Sequence, residues 1–317
     1  MKLLDLTLIT LLTSTMISGC VTPASYTEPI ARYQKASTVV IENARAQYTL
    51  ANKRARDAQI DELAKNNKRI TFTELENSVL ISPEALRVRL EALNVLTKHG
   101  ELLLALSSSD AADKAKTYAG SLNESIKSLQ DAIPKSAGVT GSRSTESLAG
   151  PFAELAGKLA SLAITHKINK ELEQAITDSD QSVDALIDSI EMDMRNLYAA
   201  QRSAGVVSRR YAVTTYNCQT IDASCKPPVA RYSSTERNKA ISEIKASEDQ
   251  WDNINIMSPT AGFDAMRDAH KELVKYATSS KKPQDFSELI EAIEVFVTRA
   301  TMVADSIKSI RTAQEQI

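Results

Sequence analysis

Glycine is scarce in this chain, with nine in 317 residues, and none stands in a phosphate-loop pattern. Gly150 and Gly157-Lys158 lack the Walker spacing and the hydroxyl after the lysine, and no G-x-S-x-G elbow occurs. Histidine is scarcer still. His99, His166 and His270 lie far apart, with no H-E-x-x-H and no acidic residue three positions before any of them. That excludes the helical zinc-protease and di-iron patterns. Three cysteines are too few for a disulfide framework, and none pairs with histidine at zinc spacing. Charge of one sign is also lacking: 38 Lys and Arg face 40 Asp and Glu, a net charge of −2. A chain without basic excess has little with which to neutralise phosphates, so no nucleic-acid partner is expected. The Ser242–Lys245 Ser-x-x-Lys pair falls mid-helix without companion motifs and reads as a solvated face. Aromatics are 5% of residues. β-branched alternation is confined to Gly205–Thr215. What remains, rich in Ala, Leu, Ser, Lys and Glu, favours helices.

The first twenty residues are the most specific stretch. Leu6–Ile17 read LTLITLLTSTMI behind Lys2, an apolar run of signal-peptide length and too short to span a bilayer. Ile17-Ser18-Gly19-Cys20 follows. An ordinary secretory signal with an incidental cysteine is the plain alternative, and Asp5 beside the apolar run is unusual for either reading. The four residues resemble the lipobox of bacterial lipoproteins: an aliphatic residue, a small residue, Gly or Ala, then Cys. The resemblance covers these twenty residues alone. It implies cleavage before Cys20, a covalent diacylglyceryl and acyl lipid on Cys20, and no other cofactor. Two or three acyl chains hold a protein stably where one does not. Val21 stands where an Asp would retain such proteins at the inner membrane. The resemblance therefore implies the outer membrane of a Gram-negative cell, facing the periplasm. Residues 1–19 are then a signal peptide, and 20–29 a lipidated tether carrying two prolines. The tether's reach is about 30 Å.

Export puts Cys218 and Cys225 in an oxidising compartment, and with Cys20 lipidated they are the remaining even pair. A disulfide is expected, closing a loop of about eight residues that contributes roughly 2.5 kcal/mol. The spacing is not C-x-x-C, although a redox-active pair is the other reading. Pro227-Pro228 follow directly and forbid helix there.

Removing the leader leaves 298 of the 317 residues. Apolar residues recur every three or four positions along most of them, which predicts an all-α, elongated multi-helix bundle over residues 30–317 as one domain. Helices are expected at about 30–66, 83–107, 110–133, 148–203 with a break near 177–180, 234–256, 259–279 and 284–315. A flexible loop is expected at 134–147 and an irregular disulfide segment at 205–230. In the last helix Phe286, Leu289, Ile293, Phe296, Ala300, Val303, Ile307 and Ile310 form an unbroken heptad seam. It is either core packing or an interaction seam through which the chain forms a homo-oligomer. A weak internal echo links HGELLLALSS (99–108) to HKELVKYATSS (270–280), and SIKSL (125–129) to SIKSI (306–310).

These features point away from catalysis. The expected role is a lipid-anchored scaffold or interaction protein whose partners are the membrane and other envelope proteins. A second reading starts from AGVTGSRSTESLAGPFAELAGKLASLAI (137–164), a mildly apolar hairpin of the flavour carried by cytolysin-A-type pore formers. An enzyme would instead require His99 or His270 to converge with carboxylates.

Overall fold

Helix starts follow the local chemistry. Ser82 accepts from the Ala85 amide at 3.2 Å and Pro83 opens the helix behind it, where a missing N–H costs nothing. Thr71 and Glu74 form a capping box, and Ser233 with Glu236 repeats it. The computed structural model describes residues 24–65, 68–108, 111–136, 168–220, 233–256 and 260–315, and every regular element among them is a helix. They are α1 (Ala24–Lys65), α2 (Phe72–Asn77), α3 (Pro83–Ser107), α4 (Ala111–Ser136), α5 (Ile168–Thr220), α6 (Ser234–Ile256), α7 (Ala261–Thr278) and α8 (Pro283–Glu315).

Five of them close a ring: α1 packs on α3, α3 on α5, α5 on α7, α7 on α8, and α8 on α1. Outside the ring, α4 lies against α3, and α6 lies against α5 and α8. The Tyr26 hydroxyl donates to Glu173 at 2.9 Å, and Arg54 donates to Gln201 at 3.4 Å. Both pairs are 147 residues apart, so α1 and α5 run parallel in fixed register. α3 runs the other way. Its start is tied to α1 by Asn52, whose amide bonds both the N–H and the C=O of Ile81 at 2.9 and 2.8 Å. Its end is tied by Thr27, whose hydroxyl donates to the Ser107 carbonyl. The first turn of α1 thus marks a near end of the bundle, and the α5–α6 hairpin marks the far end.

Several expectations are corrected. Residues 24–29 are not tether but the first turns of α1. Tyr26, Pro29, Ile30 and Tyr33 are buried, continuing the apolar face rather than interrupting it. Pro29 forfeits one helical hydrogen bond, but it sits near the helix start, where burial of its neighbours offsets the loss. The irregular segment expected at 205–230 is helical as far as Thr220, and no break occurs at 177–180. Here β-branched residues are held in helix by α6 packing alongside, with Trp251 flanked by Arg202 and Arg209 at 5.7 and 5.5 Å. α4 runs through Pro134 to Ser136, so the loop does not begin at 134. The rest of 134–147 and the hairpin at 137–164 lie outside the described residues.

Of the two readings of the α8 seam, core packing holds from Leu289 to Val303, and the interaction surface does not hold there. Leu289, Ile293, Phe296, Ala300 and Val303 are buried in the chain's own core, and Phe286 packs against it. A face already covered by α1 and α7 is not offered to a second copy. The side chains of Ile307 and Ile310 lie outside the described set. The internal echo lands on two hairpins, α3–α4 and α7–α8. His99 and His270 each stand eight residues before the last residue of their helix.

One contact tests how closely α7 sits against α1 across the ring. A Cβ on Gly262 would lie 2.9 Å from Val40 Cγ2, closer than side chains pack. Gly262→Ala is therefore expected to lower urea-unfolding stability by about 1–2 kcal/mol, overpacking outweighing the better helix propensity. Adding Val40→Ala should make the alanine at 262 tolerable in a double-mutant cycle. Equal costs in both backgrounds would show that α1 and α7 do not meet there.

Candidate functional site

The ring encloses polar groups at two levels. In the lower level, α3 supplies His99 and α7 supplies His270, with ring centroids 6.0 Å apart. Both are sealed, 4% and 1% exposed. His99 Nε2 lies 2.9 Å from Ser179 Oγ on α5. Ser179 already donates to the Ala175 carbonyl at 2.6 Å, so its oxygen accepts and His99 carries the proton on Nε2. This is the reverse of a base activating a serine. Neither ring nitrogen of His270 has a hydrogen-bond partner among the described residues, and Nδ1 stands 3.6 Å from Asp180. Tyr33 on α1 faces the His270 ring at 6.4 Å and the Phe296 ring at 5.5 Å.

Burial dominates the electrostatics. It pushes His99 down to about 3, with the neighbouring His270 ring adding to the effect. Burial and then the nearby Lys271 push His270 down to about 4. Burial and the Asp184 charge raise the Asp180 carboxyl, against Lys271. Burial also raises the Tyr33 hydroxyl far above its ordinary range. The pair is therefore two neutral imidazoles at neutral pH.

One level further along the bundle, Arg89 and Asp193 form a bidentate ion pair at 2.6 and 2.7 Å, both side chains buried. Arg89 also donates to the Ala85 carbonyl and lies 5.7 Å from the Tyr48 ring. Burial alone would lower the guanidinium; its hydrogen bonds and charge contact with Asp193 hold it above its ordinary value. Beside this level runs a ladder of Asp184, Asp188 and Glu191 on α5. Arg267 of α7 meets all three, at 3.3, 2.9 and 2.7 Å. Arg195 pairs with the buried Glu191 as well.

The near end has its own node, which the sequence reading missed. Lys281, between α7 and α8, holds φ at 58°, a conformation that costs a non-glycine residue. Its ammonium returns to cap α7, donating to the Tyr276 and Ala277 carbonyls at 2.5 and 2.6 Å. It also pairs with Glu173 at 3.1 Å and lies over the Tyr276 and Tyr26 rings at 5.0 and 5.9 Å. The available signal was Tyr26, in phase with Ile30 and Tyr33.

No family model, curated protein or solved structure matches this chain. The remaining sequence-derived sites are placed as follows. Cys20 and Cys225 lie outside the described residues. Cys218 is half-buried, two residues before the end of α5. Among the described residues no group of three or more His, Cys, Asp or Glu could hold a metal. No described helix is long and apolar enough to cross a membrane. The convergence an enzyme would need is met in part, since His99 and His270 meet beside Asp180. Both rings are closed off from solvent, however, and the serine beside them is wired as an acceptor. Chemically the pair can do one thing readily, which is to become intolerable when protonated.

The sign follows from the lowered values. A buried neutral histidine stabilises the fold fully above about pH 6.5. That stability drains away as pH falls toward the folded-state values of about 4 and about 3. At pH 5 each histidine should already have cost about 2 kcal/mol relative to pH 7. Urea unfolding at the two pH values is expected to show this loss, and His270→Phe should remove about half of it. Equal stability at pH 5 and pH 7 in the native chain would refute the burial argument.

Breaking the ion pair makes a second test. Asp193→Ala leaves a buried guanidinium without its carboxylate and is expected to cost about 3–5 kcal/mol. Replacing both partners with apolar residues, as Arg89→Met with Asp193→Leu, should cost far less in the same denaturation experiment.

Proposed function

We propose that this is a lipid-anchored helical scaffold of the bacterial cell envelope, held to the outer membrane through Cys20 and working by protein–protein contact rather than catalysis. The observation that carries this reading is the distance between motif and fold. The lipobox cysteine is four residues before Ala24, where α1 begins. The first turns of α1 are then locked to α3, α5 and the α7–α8 connection through Thr27, Tyr26 and Lys281. Four residues span at most about 14 Å. An acyl group on Cys20 would therefore hold the near end of a stiff bundle against a bilayer, a geometry suited to presenting the far end.

The surface offered to an envelope partner is on α2, at the far end of α1. None of its residues is buried, Phe72 is 85% exposed, and Ile70 and Leu80 flank it in the open. An exposed aromatic flanked by exposed aliphatics in this way commonly marks a contact site. The disulfide between Cys218 and Cys225 belongs to the same reading, tying the α5 end to the following connection.

Mass spectrometry of the mature chain is expected to show an N-terminal cysteine carrying a diacylglyceryl group. Cys20→Ser should abolish it and release the protein from the membrane fraction. Co-purification from solubilised envelopes should yield partners whose recovery falls at least about tenfold with Phe72→Asp, in line with loss of one anchor residue. An unmodified Cys20 would remove the anchoring proposal. Partners retained fully by Phe72→Asp would remove α2 as the contact.

A further inference from the structure

Two stretches of this chain bury the same positions. Every buried residue of α1 from Tyr26 to Ala51, Pro29 excepted, has a buried counterpart 146 residues on in α5, from Leu172 to Leu197. The hairpins follow at a second constant offset. Phe263, Met266, His270, Leu273, Tyr276 and Ala277 of α7 fall 171 residues after buried residues of α3, and the other buried positions of α7 fall on half-buried ones. Ile293, Phe296, Ala300 and Val303 of α8 fall 171 after Leu122, Ser125, Leu129 and Ala132, all buried in α4. The helix ends match as well. Ser108 and Ser279 close α3 and α7 alike, each giving its N–H and its hydroxyl to the carbonyl three residues back. The SIKS match at 125 and 306 is ten residues out of this register and has no part in it.

Helical periodicity alone aligns faces; it does not bring counterparts to the same height. Here they stand side by side. The Tyr26–Glu173 and Arg54–Gln201 bonds set α1 and α5 parallel, within one residue of the 146 offset. α3 and α7 both end at the near end, and His99 and His270, 171 apart, have ring centroids 6.0 Å from one another. Two parallel pairs at equal height are what a twofold axis along the bundle produces. Contacts across that axis also come in equivalent pairs. His99 meets Ser179, and His270 faces Tyr33, the residue 146 before Ser179. At the second polar level Arg89 pairs with Asp193, and their counterparts Thr260 and Gln47 are buried polar residues too. The match is closest for the four helices around the axis. Outside them α8 leans on α1 as well as α7, whereas α4 packs chiefly on α3 among the described elements.

We infer that residues 24–136 and 168–303 are two copies of one helical unit, a long helix followed by a helical hairpin. They are fused in one chain and paired about a twofold axis that passes between His99 and His270. The face each half buries on the other is then a self-pairing surface, and the partner it fits is a second copy of the same unit. The step from 146 to 171 falls between long helix and hairpin, where the first half carries short α2 and the second carries the longer α6. The inference is independent of acylation at Cys20 and of any contact at α2.

Equivalence is tested by building at Gln47 and Thr260 the ion pair that their counterparts already make. Gln47→Asp and Thr260→Arg are made singly and together in the full chain, and urea unfolding is followed by circular dichroism. Each single variant leaves a buried charge without its partner and is expected to lower the urea midpoint by about 1 M or more. Together they should recover roughly half or more of the summed loss, as the new guanidinium meets the new carboxylate. Ala44→Asp in place of Gln47→Asp, one turn away, should recover nothing. A double variant that loses the full sum, or does not fold, would overturn the equivalence, as would equal recovery with Ala44→Asp. The histidine level gives a second readout, by NMR of the chain carrying nitrogen-15 histidine. The native protein should show one slowly exchanging Nε2–H signal, that of His99, abolished by Ser179→Ala. Tyr33→Ser should add a second, from His270, because a hydroxyl there stands to His270 as Ser179 stands to His99. A folded Tyr33→Ser chain with the native signal alone would count against the duplication and overturn it.

Discussion

Everything in this fold leans on one continuous buried face along α1. Forty-two residues of helix are about 63 Å long, and isolated helices do not hold such a length by propensity alone. Tyr26, Ile30, Tyr33, Val40, Ile41, Ala44, Tyr48 and Ala51 carry that face from the near end toward the far end without a gap. α3, α7 and α8 pack against it directly, and α5 is held to it by the hydrogen bonds of Tyr26 and Arg54. The small residues let neighbours approach, and the tyrosines fill the wider levels. Because α1 starts at Ala24 and its buried face at Tyr26, helical order begins within four residues of Cys20, and a lipid of the kind proposed on that cysteine would lie close to a rigid body.

A ring of five helices also encloses polar groups, and each is handled differently. Arg89 and Asp193 satisfy one another through two short hydrogen bonds, so the pair is tolerated although it adds little net stability. Glu191 is held by two arginines from α5 and α7. His270 has no such answer. It survives by staying neutral, which makes the middle of the bundle the place where acid acts first. The same interior that gives α1 its rigidity therefore limits the pH range over which the rigidity lasts.

Much of this architecture is legible in the residues themselves. The three-and-four spacing of Leu289, Ile293, Phe296 and Ala300 marks α8, and Ser82-Pro83 marks the start of α3. Spacing along one helix cannot say what covers it, which is why the α8 seam, read first as core, leaves an interface open until α1 is seen against it. Pro29 misleads because a local breaker is overridden by burial on both sides of it. Gly205 and the valines after it mislead for a related reason: Val206 and Val213 are themselves exposed, and the helix is held there by its neighbours Arg202 and Arg209, which meet Trp251 and Glu248 of α6. The meeting of His99 and His270 is a contact between helices distant in sequence, and its only trace was the shared H-x-E-L echo. The Lys281 node leaves still less trace, since a capping lysine looks like any surface lysine.

The central claim is that folding order reaches the immediate neighbourhood of Cys20, so that the lipid proposed on that cysteine would have almost no slack between it and the bundle. Amide hydrogen exchange of residues 30–36, read against residues 40–48 of the same helix, tests it most directly. Comparable slow exchange in both windows is the result this account predicts. Exchange of residues 30–36 at the rate of an unstructured peptide, with 40–48 still protected, would contradict it.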